Sequence, residues 1–246
     1  MDLETRLRRR LQRMYDQAAA CDAGLLSPVN LPRGRALLLD LGYPEAAIAR
    51  LPAWLLAKAF PCGNPLPAIA ALRPRPASIL DLGCGCGLDA CLLASEWREN
   101  GKITALDLSG RLLSSGRQAA RELGLARLAF VQGDAGRLPF RRSAFDLVTM
   151  NGSFNVIVDK EGFLRQLATR LTPGGRLLIN DLLLVEPLPP GFVDEPDNWA
   201  WNIAGALTAE GYRQLCRRTG FSLVSLRRGE LMAPVQAAEL LLRRAD

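Results

Sequence analysis

Residues 79–88 read ILDLGCGCGL, an apolar run followed by glycine at three alternate positions and then by the start of a helical pattern. Gly83, Gly85 and Gly87 let the main chain turn tightly and let a ligand approach it closely. The dinucleotide fingerprint G-x-G-x-x-G would need its third glycine at Leu88, so the spacing here differs from that motif. An ordinary tight turn stays open as an alternative for this stretch taken alone.

The segments that follow this loop predict an open α/β sheet. Short apolar runs alternate with amphipathic segments, which is typical of parallel strands whose connecting helices cover both faces of a sheet. The predicted strands are Ser78 to Leu82, Lys102 to Asp107, Leu128 to Gln132, Phe145 to Met150, Arg176 to Asp181 and Phe221 to Leu226. The predicted helices are Leu88 to Glu99, Arg111 to Leu123, Glu161 to Leu171 and Thr208 to Arg218. Leu182 to Ala206, rich in Pro and Trp, interrupts the alternation and is predicted to be a lid or substrate-facing insertion.

The first 60 residues or so are predicted to be helical. Leu3, Leu7 and Leu11 keep the spacing of one helix face, and Pro44 to Ala59 predicts one or two short helices. An arginine cluster lies on the first of these segments and consists of Arg6, Arg8, Arg9, Arg10 and Arg13. We interpret the cluster as a solvated helix face, with nucleic-acid binding as the minority alternative.

Composition excludes several classes of site. The 246 residues include no histidine, which excludes Ser-His-Asp triads, Cys-His nucleophile pairs and histidine zinc motifs. The six cysteines form no Cys-x-x-Cys pair, so reduced thiols and no metal site are expected. Met1 to Met14 is charged and no apolar run reaches the roughly 20 residues of a membrane span. The sequence therefore predicts a cytoplasmic protein without a membrane segment.

Three further motifs follow the glycine loop in order. Asp107 ends the next predicted strand, 20 residues after Gly87, where a carboxylate can accept hydrogen bonds from both hydroxyls of a ribose. Gly133-Asp134-Ala135 follows the third strand, and residues 171–177 read LTPGGRL before the fifth. Each motif is weak alone, but their order adds to the signal of the loop.

These four motifs resemble those of the class I S-adenosylmethionine-dependent methyltransferases. The resemblance implies an α/β, Rossmann-like, doubly wound sheet with a helical N-terminal cap and a lid insertion. It implies a cap over residues 1–65, a cofactor-binding core over 66–185, and the insertion with the C-terminal completion of the sheet over 186–246. S-adenosylmethionine is the implied cofactor and S-adenosylhomocysteine its product.

The same resemblance implies roles for individual residues. Asp81 would meet the cofactor's ammonium directly or through water, Asp134 the adenine amino group, and the Ala135 backbone N–H the adenine ring. The full set of cofactor-binding residues expected is Asp81, Gly83, Cys84, Gly85, Gly87, Asp107, Leu108, Gly133, Asp134, Ala135 and Asn151. Cys84 and Cys86 are interpreted as packing residues of the loop.

A narrower resemblance, to the arsenite methyltransferase family, covers about residues 41–224. The peptides that carry it are Leu41-Gly42-Tyr43, Leu51-Pro52, Cys62-Gly63-Asn64-Pro65, Asp81 to Asp89, Asn155 with Asp159-Lys160, Ile203 to Thr208, Tyr212 and Gly220-Phe221. That family binds trivalent arsenic through cysteine thiolates, the soft ligands such a centre requires. Two of the aligned cysteine positions hold Gly152 and Asn202 here, Cys62 is retained, and Cys21 does not align.

The departures set the functional expectation. A single thiolate cannot form a three-coordinate arsenic site, so a methyltransferase acting on another small molecule is expected, with a soft sulfur or selenium nucleophile as one class of acceptor. Arsenite methylation and a non-catalytic cofactor-binding protein stay open as alternatives, and RNA methylation is disfavoured. The candidate catalytic residues are Asn151, Asn155, Asn202 and Cys62, and Cys62 is either a packed small residue or a substrate contact. Trp199 and Trp201 either anchor the lid or cover the substrate.

Overall fold

The computed structural model describes residues 2–21, 32–97 and 101–245. In this part of the chain the strands are β1 Ser78–Leu82, β2 Lys102–Asp107, β3 Leu128–Gln132, β4 Phe145–Asn151, β5 Leu171–Leu184, β6 Phe221–Met232 and β7 Val235–Arg244. The helices are α1 Leu3–Ala20, α2 Gly34–Asp40, α3 Glu45–Ile48, α4 Ala53–Lys58, α5 Leu66–Ala71, α6 Leu88–Glu96, α7 Gly110–Glu122, α8 Lys160–Arg170, α9 Pro196–Ala200 and α10 Ala209–Thr219. Short 3₁₀ turns lie at Ala135–Arg137 and Phe192–Asp194.

All seven described strands form one sheet in the order β3-β2-β1-β4-β5-β7-β6. The strands from β3 to β5 are parallel, whereas β7 is antiparallel to both β5 and β6. The chain leaves β1 toward β2 on one side and returns to β4 on the other, so the strand order reverses between β1 and β4. Such a reversal opens a crevice outside the carboxyl ends of the strands, where open α/β sheets bind ligands. The expected doubly wound sheet is therefore confirmed.

The C-terminal strands differ most from the sequence prediction. Strands β1, β2 and β3 have the predicted bounds, but β5 is longer than the predicted Arg176 to Asp181, and no element was predicted for Val235–Arg244. Residues 235–244 read VQAAELLLRR, which is rich in helix-forming Ala, Glu, Leu and Arg. Pairing with β5 over nine residue pairs, from Arg176–Arg243 to Leu184–Val235, outweighs that local preference.

Helices pack on both faces of the sheet. Helices α2 to α7 bury one face around residues such as Leu38, Leu55, Ile69 and Leu93. On the opposite face, α8 and α10 are packed through a second cluster that includes Leu80, Val148, Phe154, Leu164 and Tyr212. Burial of this apolar surface is the main stabilising contribution to the fold.

Helix α1 packs against the cluster of the first face through Tyr15 and Ala19, and it also contacts the insertion. Asp2 caps its N-terminus by accepting a hydrogen bond from the Thr5 N–H at 2.7 Å. Leu7, Met14 and Ala18 of α1 pack against Ala200 of α9 in a third apolar cluster. None of the helices in the described ranges combines the length and the apolar character needed to cross a membrane.

Candidate active site

The glycine loop takes backbone conformations that favour glycine. Gly83, Gly85 and Gly87 have φ values of 77°, 56° and 81°, all in the left-handed region. A Cβ at Gly83 would lie 2.5 Å from the Cβ of Ser153, and one at Gly87 would lie 2.8 Å from the Phe130 ring. The loop is therefore fixed by close neighbours on two sides and turns directly into α6.

A cavity of about 460 Å³ lies at the carboxyl ends of β1, β2 and β4. Ten of the residues predicted to bind the cofactor line it, namely Asp81, Gly83, Cys84, Gly85, Asp107, Leu108, Gly133, Asp134, Ala135 and Asn151. Gly87, the remaining one, does not line the cavity and instead begins α6. Leu7, Arg8 and Tyr15 of α1 also line the cavity, and the sequence interpretation assigned none of them to the site.

Asp107 joins the glycine loop to the turn after β2. Its Oδ2 accepts a hydrogen bond from the Gly85 N–H and its Oδ1 accepts one from the Ser109 N–H, both at 2.8 Å. Burial raises the pKa of Asp107, and these backbone donors act in the opposite direction. Asp107 is half-buried and lines the cavity, and its expected contact with ribose hydroxyls stays a prediction.

Asp81 lies deeper than Asp107, at the end of β1. Its side chain is 2% exposed, and its Oδ2 has no hydrogen-bond partner among the described residues. Burial and the nearby charge of Asp89 raise its pKa well above the usual range. A buried carboxyl oxygen without a partner is costly unless a ligand satisfies it. This orphaned oxygen therefore fits the ammonium group of the implied cofactor.

Asp134 makes an ion pair that the sequence did not indicate. Its Oδ1 accepts from the Gly136 N–H at 2.8 Å, and its Oδ2 lies 2.6 Å from the Arg8 guanidinium of α1. Arg10 pairs with Asp197 in the insertion. Most of the arginine cluster is exposed, as a solvated helix face would be, and Arg8 and Arg10 in addition link α1 to the core and to the insertion.

Asn151 acts as a clamp on the turn at Cys62. Its Oδ1 accepts hydrogen bonds from the N–H groups of Cys62 and Gly63, at 2.8 and 3.1 Å. Its Nδ2 donates to the Gly63 carbonyl at 2.8 Å and to Asp89 Oδ2 at 2.7 Å. These contacts occupy the amide, so the geometry makes Asn151 a positioning residue. Its expected direct contact with cofactor or substrate stays a prediction.

Asp89 completes this clamp and was missed by the sequence interpretation. Its Oδ1 accepts a hydrogen bond from the Tyr43 hydroxyl at 2.7 Å, while its Oδ2 accepts the one from Asn151. Burial raises the pKa of Asp89 to about 6, against the effect of these two donors. The available signal was a charged residue in the first turn of α6, just before an apolar run, where a buried carboxylate needs a partner.

Cys62, Gly152 and Asn202 meet at one point, although they are far apart in sequence. A Cβ at Gly152 would lie 3.0 Å from Cys62 Sγ and 3.7 Å from Asn202 Nδ2. Asn202 Nδ2 donates to the Gly152 carbonyl at 3.0 Å. We call these three positions the acceptor corner. The structure thus brings together the three positions that the resemblance to the arsenite methyltransferases assigns to arsenic-binding cysteines, and one of the three holds a thiol.

The thiol of Cys62 is held in its protonated form. Burial raises the pKa of Cys62 well above that of an ordinary cysteine, and the charge of Asp181 adds to the shift. A protonated thiol is a weak metal ligand and a weak nucleophile. In the part of the chain that the structure describes, no three His, Cys, Asp or Glu side chains are grouped to hold a metal ion.

Asn155 fastens the insertion to the end of β5. Its Nδ2 donates to the carbonyls of Leu182 and Asn202, at 2.8 and 2.9 Å, and its N–H donates to Asp181 at 3.0 Å. A Cβ at Gly205 would lie 1.9 Å from the Asn155 carbonyl oxygen. Asn155 is therefore a positioning residue beside the acceptor corner, and its candidate catalytic role stays a prediction.

Asp181 and Lys160 hold the segment around Phe154, Asn155 and Ile157, which lies beside the acceptor corner. Asp181 is fully buried and accepts from the N–H groups of Phe154 and Asn155, both at 3.0 Å, and burial raises its pKa to about 6. Lys160 donates to the Ile157 carbonyl at 2.7 Å, and burial lowers its pKa to about 8. Trp199 lies over the Lys160 ammonium and donates to the Val193 carbonyl, which supports its interpretation as an anchor of the lid.

Comparisons with known proteins agree with the fold and the cavity. The profile of the methyltransferase domain family matches residues 75–220. An arsenite methyltransferase of Halobacterium salinarum is 30% identical over 165 residues, which cover 67% of this chain and 42% of that protein. A ubiquinone/menaquinone biosynthesis C-methyltransferase of Escherichia fergusonii is 31% identical over 150 residues, covering 57% of this chain and 58% of the relative. The chain thus spans about half the length of these relatives.

A solved structure extends the similarity to most of the chain. The arsenic(III) S-adenosylmethionine methyltransferase of Chlamydomonas reinhardtii has a TM-score of 0.67 and 27% identity, and the match covers 82% of this chain and 72% of that one. The [4+2]-cyclase SpnF, at 21% identity and a TM-score of 0.58 over 69% of this chain and 74% of its own, shares the fold alone. The chain belongs to the methyltransferase domain family, as a class I S-adenosylmethionine-dependent methyltransferase similar to the arsenite methyltransferases.

Proposed function

We propose that the chain transfers the methyl group of S-adenosylmethionine to a small organic acceptor and not to trivalent arsenic. The acceptor corner carries this proposal, because Gly152 and Asn202 leave Cys62 as its single thiol. Three-coordinate binding of a soft centre needs several thiolates. The burial that keeps Cys62 protonated weakens even that one ligand.

The residues of the chain divide the work of such a transfer. Asp107 and Asp134 would hold the ribose and the adenine, and Asp81 the ammonium. When bound, S-adenosylmethionine supplies an activated methyl group on a sulfonium, which leaves with the bonding electron pair remaining on sulfur. The chain's contribution is to align the acceptor with that bond and to exclude water, and alignment alone accounts for several kcal/mol of such a barrier.

The acceptor corner supports a neutral acceptor that brings its own lone pair. Neither Asn202 nor Asn155 lines the cavity, but their buried Oδ1 atoms lack partners among the described residues, so an acceptor that reached the corner would satisfy them with N–H or O–H groups. Lys160 is committed to backbone carbonyls. The chain has no histidine, and Asp181, the buried carboxyl beside the corner, already accepts two backbone N–H bonds, so we assign no general base there. A soft sulfur or selenium nucleophile also meets this requirement.

Arsenite methylation remains the second candidate, since two relatives named for arsenic methylation match this chain. It would require thiols supplied by a small molecule such as glutathione. In that case Cys62 would be one arsenic ligand beside thiols of glutathione. The Cys62→Ser variant would then methylate arsenic more slowly than the wild type in the presence of glutathione, and it would not methylate arsenic without glutathione.

Calorimetric titration with S-adenosylhomocysteine, followed in the same cell by trivalent arsenic, tests the proposal. We expect binding of the first ligand and none of the second in buffer free of thiols. Tight binding of both would return arsenite as the leading substrate, and no binding of S-adenosylhomocysteine would overturn cofactor binding itself. Incubation with tritiated S-adenosylmethionine and a metabolite extract then tests for transfer.

The Asn202→Ala variant separates the two halves of the site in the same experiments. We expect it to bind S-adenosylhomocysteine as the wild type does, because Asn202 does not line the cavity. We expect it to transfer less tritium to the extract, because its amide holds the Gly152 carbonyl in the acceptor corner. A protein that binds the cofactor but labels nothing in the extract would favour the non-catalytic alternative.

A further inference from the structure

A further cavity, of about 360 Å³, lies between the insertion and α10. We call it the second cavity, and the one at the glycine loop the first. The start of α8 and the insertion form part of its wall, and α10 forms the rest with Gly211, Gln214, Leu215 and Arg218. These four recur at the three-to-four spacing of one helix face. The volume is in the range of pockets that hold small molecules.

The Lys160 ammonium lies at the wall of the second cavity. It donates to the Asn155 carbonyl at 3.2 Å and lies 5.2 Å from the centroid of the Trp199 ring. A Cβ at Gly205 would lie 1.9 Å from that same carbonyl oxygen and 2.7 Å from that same ring. Gly205 and Trp199 both line the second cavity, so these distances place the ammonium beside two of its lining residues.

This buried ammonium has no carboxylate within ion-pair distance among the described residues. Lys160 is 7% exposed, and burial lowers its pKa to about 8, which leaves it charged at neutral pH. Its hydrogen bonds in the described chain go to the carbonyls of Asn155 and Ile157, so one of its three N–H donors is unused. Asp181 attracts it from a longer distance. A buried cation with neutral partners is costly, and an anion beside it lowers that cost.

Arg218 gives the second cavity another positive charge without a counter-ion. Arg213 and Arg217, on the same helix, pair with Glu210 at 3.5 and 3.0 Å, whereas Arg218 pairs with no carboxylate of the described chain. None of the described residues that line this cavity is Asp or Glu. The first cavity, in contrast, is lined by several carboxylates. The two cavities therefore suit ligands of opposite charge.

We propose that the second cavity binds a small organic acid with its carboxylate between Lys160 and Arg218. The unused N–H of Lys160 donates to a carboxylate oxygen, and the Arg218 guanidinium supplies the second positive charge. The apolar body of the acid packs against Trp199, Leu207 and Leu215, which also line the cavity. The ligand thereby joins the insertion to α8 and α10. This inference does not depend on the proposed function.

Calorimetric titration with benzoate and with benzamide tests the inference, because the two probes have nearly the same shape and differ in charge. Benzoate should bind the wild type at least about tenfold more tightly than benzamide, since the neutral amide makes no ion pair with Lys160. Lys160→Met should bring the benzoate affinity down to that of benzamide, with urea unfolding as the check that this variant folds.

Three arginine variants locate the bound acid. Arg218→Gln changes an exposed residue and should weaken benzoate binding by about fivefold. Arg217→Gln is the matched control on the same helix, because Arg217 does not line the second cavity. Arg8→Gln is the control for the first cavity, which Arg8 lines. Both controls should bind benzoate as the wild type does.

The inference would be overturned by equal affinities for benzoate and benzamide, or by no binding of benzoate up to about 10 mM. A loss in Arg8→Gln in place of Arg218→Gln would mean that the acid binds in the first cavity. Equal losses in Arg217→Gln and Arg218→Gln would mean that the basic surface attracts the acid without a defined site. Either of these results would also overturn it.

Discussion

The site has two parts with different side-chain chemistry: the cofactor half, formed by the glycine loop and three carboxylates, and the acceptor half, formed by the acceptor corner and the residues that support it. The cofactor half uses three carboxylates, Asp81, Asp107 and Asp134, at the ends of neighbouring strands. The acceptor corner uses a protonated thiol, a glycine and an amide, and Asp181, whose charge adds to the raised pKa of that thiol, already accepts two backbone N–H bonds. The first half suits a ligand with a cationic end, and the second suits a neutral acceptor. Under the proposed function, the difference separates the residues that bind the cofactor from those that select the acceptor.

Removing a carboxylate from the cofactor half has the largest expected effect. Asp107→Ala should weaken S-adenosylhomocysteine binding more than about 100-fold, since two charge-assisted hydrogen bonds to the ribose are lost. Calorimetry measures the change, with the exposed Asp40→Asn as a matched control. Undiminished affinity in Asp107→Ala would disprove the ribose assignment.

Thiols added to the acceptor corner should convert it to an arsenic site. The double variant Gly152→Cys with Asn202→Cys places two further thiols beside Cys62 and should bind trivalent arsenic roughly tenfold or more tightly than either single variant. Equilibrium dialysis in thiol-free buffer measures this. Gly152 has a φ of 71°, so the cysteine there should cost about 1 kcal/mol of stability, visible in urea unfolding. If the wild type bound trivalent arsenic as tightly as the double variant, the chemical difference between the two halves would not explain the choice of acceptor.

The buried carboxyl beneath the acceptor corner should make stability depend on pH. The pKa of Asp181 is about 6 in the folded protein, above its unfolded value, so its contribution to stability is present at pH 4 and lost as the pH rises through 6. The free energy of unfolding of Asp181→Asn, taken relative to that of the wild type, should rise by on the order of 3 kcal/mol between pH 4 and pH 7. Urea unfolding at both pH values measures this gain, and parallel pH profiles would show that Asp181 does not titrate as described.

The ion pair between α1 and the cofactor half has the smallest expected effect. Both partners are partly exposed, at 44% for Arg8 and 30% for Asp134, so solvent screens their attraction. Arg8→Gln should lower the free energy of unfolding by less than about 1 kcal/mol, and 1 M salt should abolish the difference. A larger, salt-independent loss would mean that Arg8 supports α1 through packing.

The cofactor half was predictable because its signals are local. The glycine loop, Asp107 and Asp134 each lie at or just after the end of a strand, and parallel strands carry such residues to one edge of a sheet. Strands β1, β2 and β3 were predicted to the residue for the same reason: a short apolar run bounded by turn residues is visible in sequence. The structure adds the contacts these carboxylates make with the loop and with α1.

The acceptor half was less predictable because it is assembled from distant segments. The resemblance to the arsenite methyltransferases pointed to Gly152 and Asn202, but the contacts of Asn151 with the Cys62 turn and with Asp89 depend on side-chain directions that no local pattern encodes. The placement of Tyr15 depends on how α1 docks, which periodicity does not give. Strand β7 was missed because its composition favours a helix, and only pairing with β5 makes it a strand.

The close contact of Gly205 with Asn155 has a consequence for how this protein tolerates mutation. A methyl group at position 205 has no room, since it would lie 1.9 Å from the Asn155 carbonyl oxygen and 2.7 Å from the Trp199 ring. Substitution there pushes the insertion off the acceptor corner but leaves every carboxylate of the cofactor half in place. Inactive variants of this enzyme should accordingly form two genetic classes. Variants of one class no longer bind S-adenosylmethionine, and variants of the other bind it but do not transfer its methyl group.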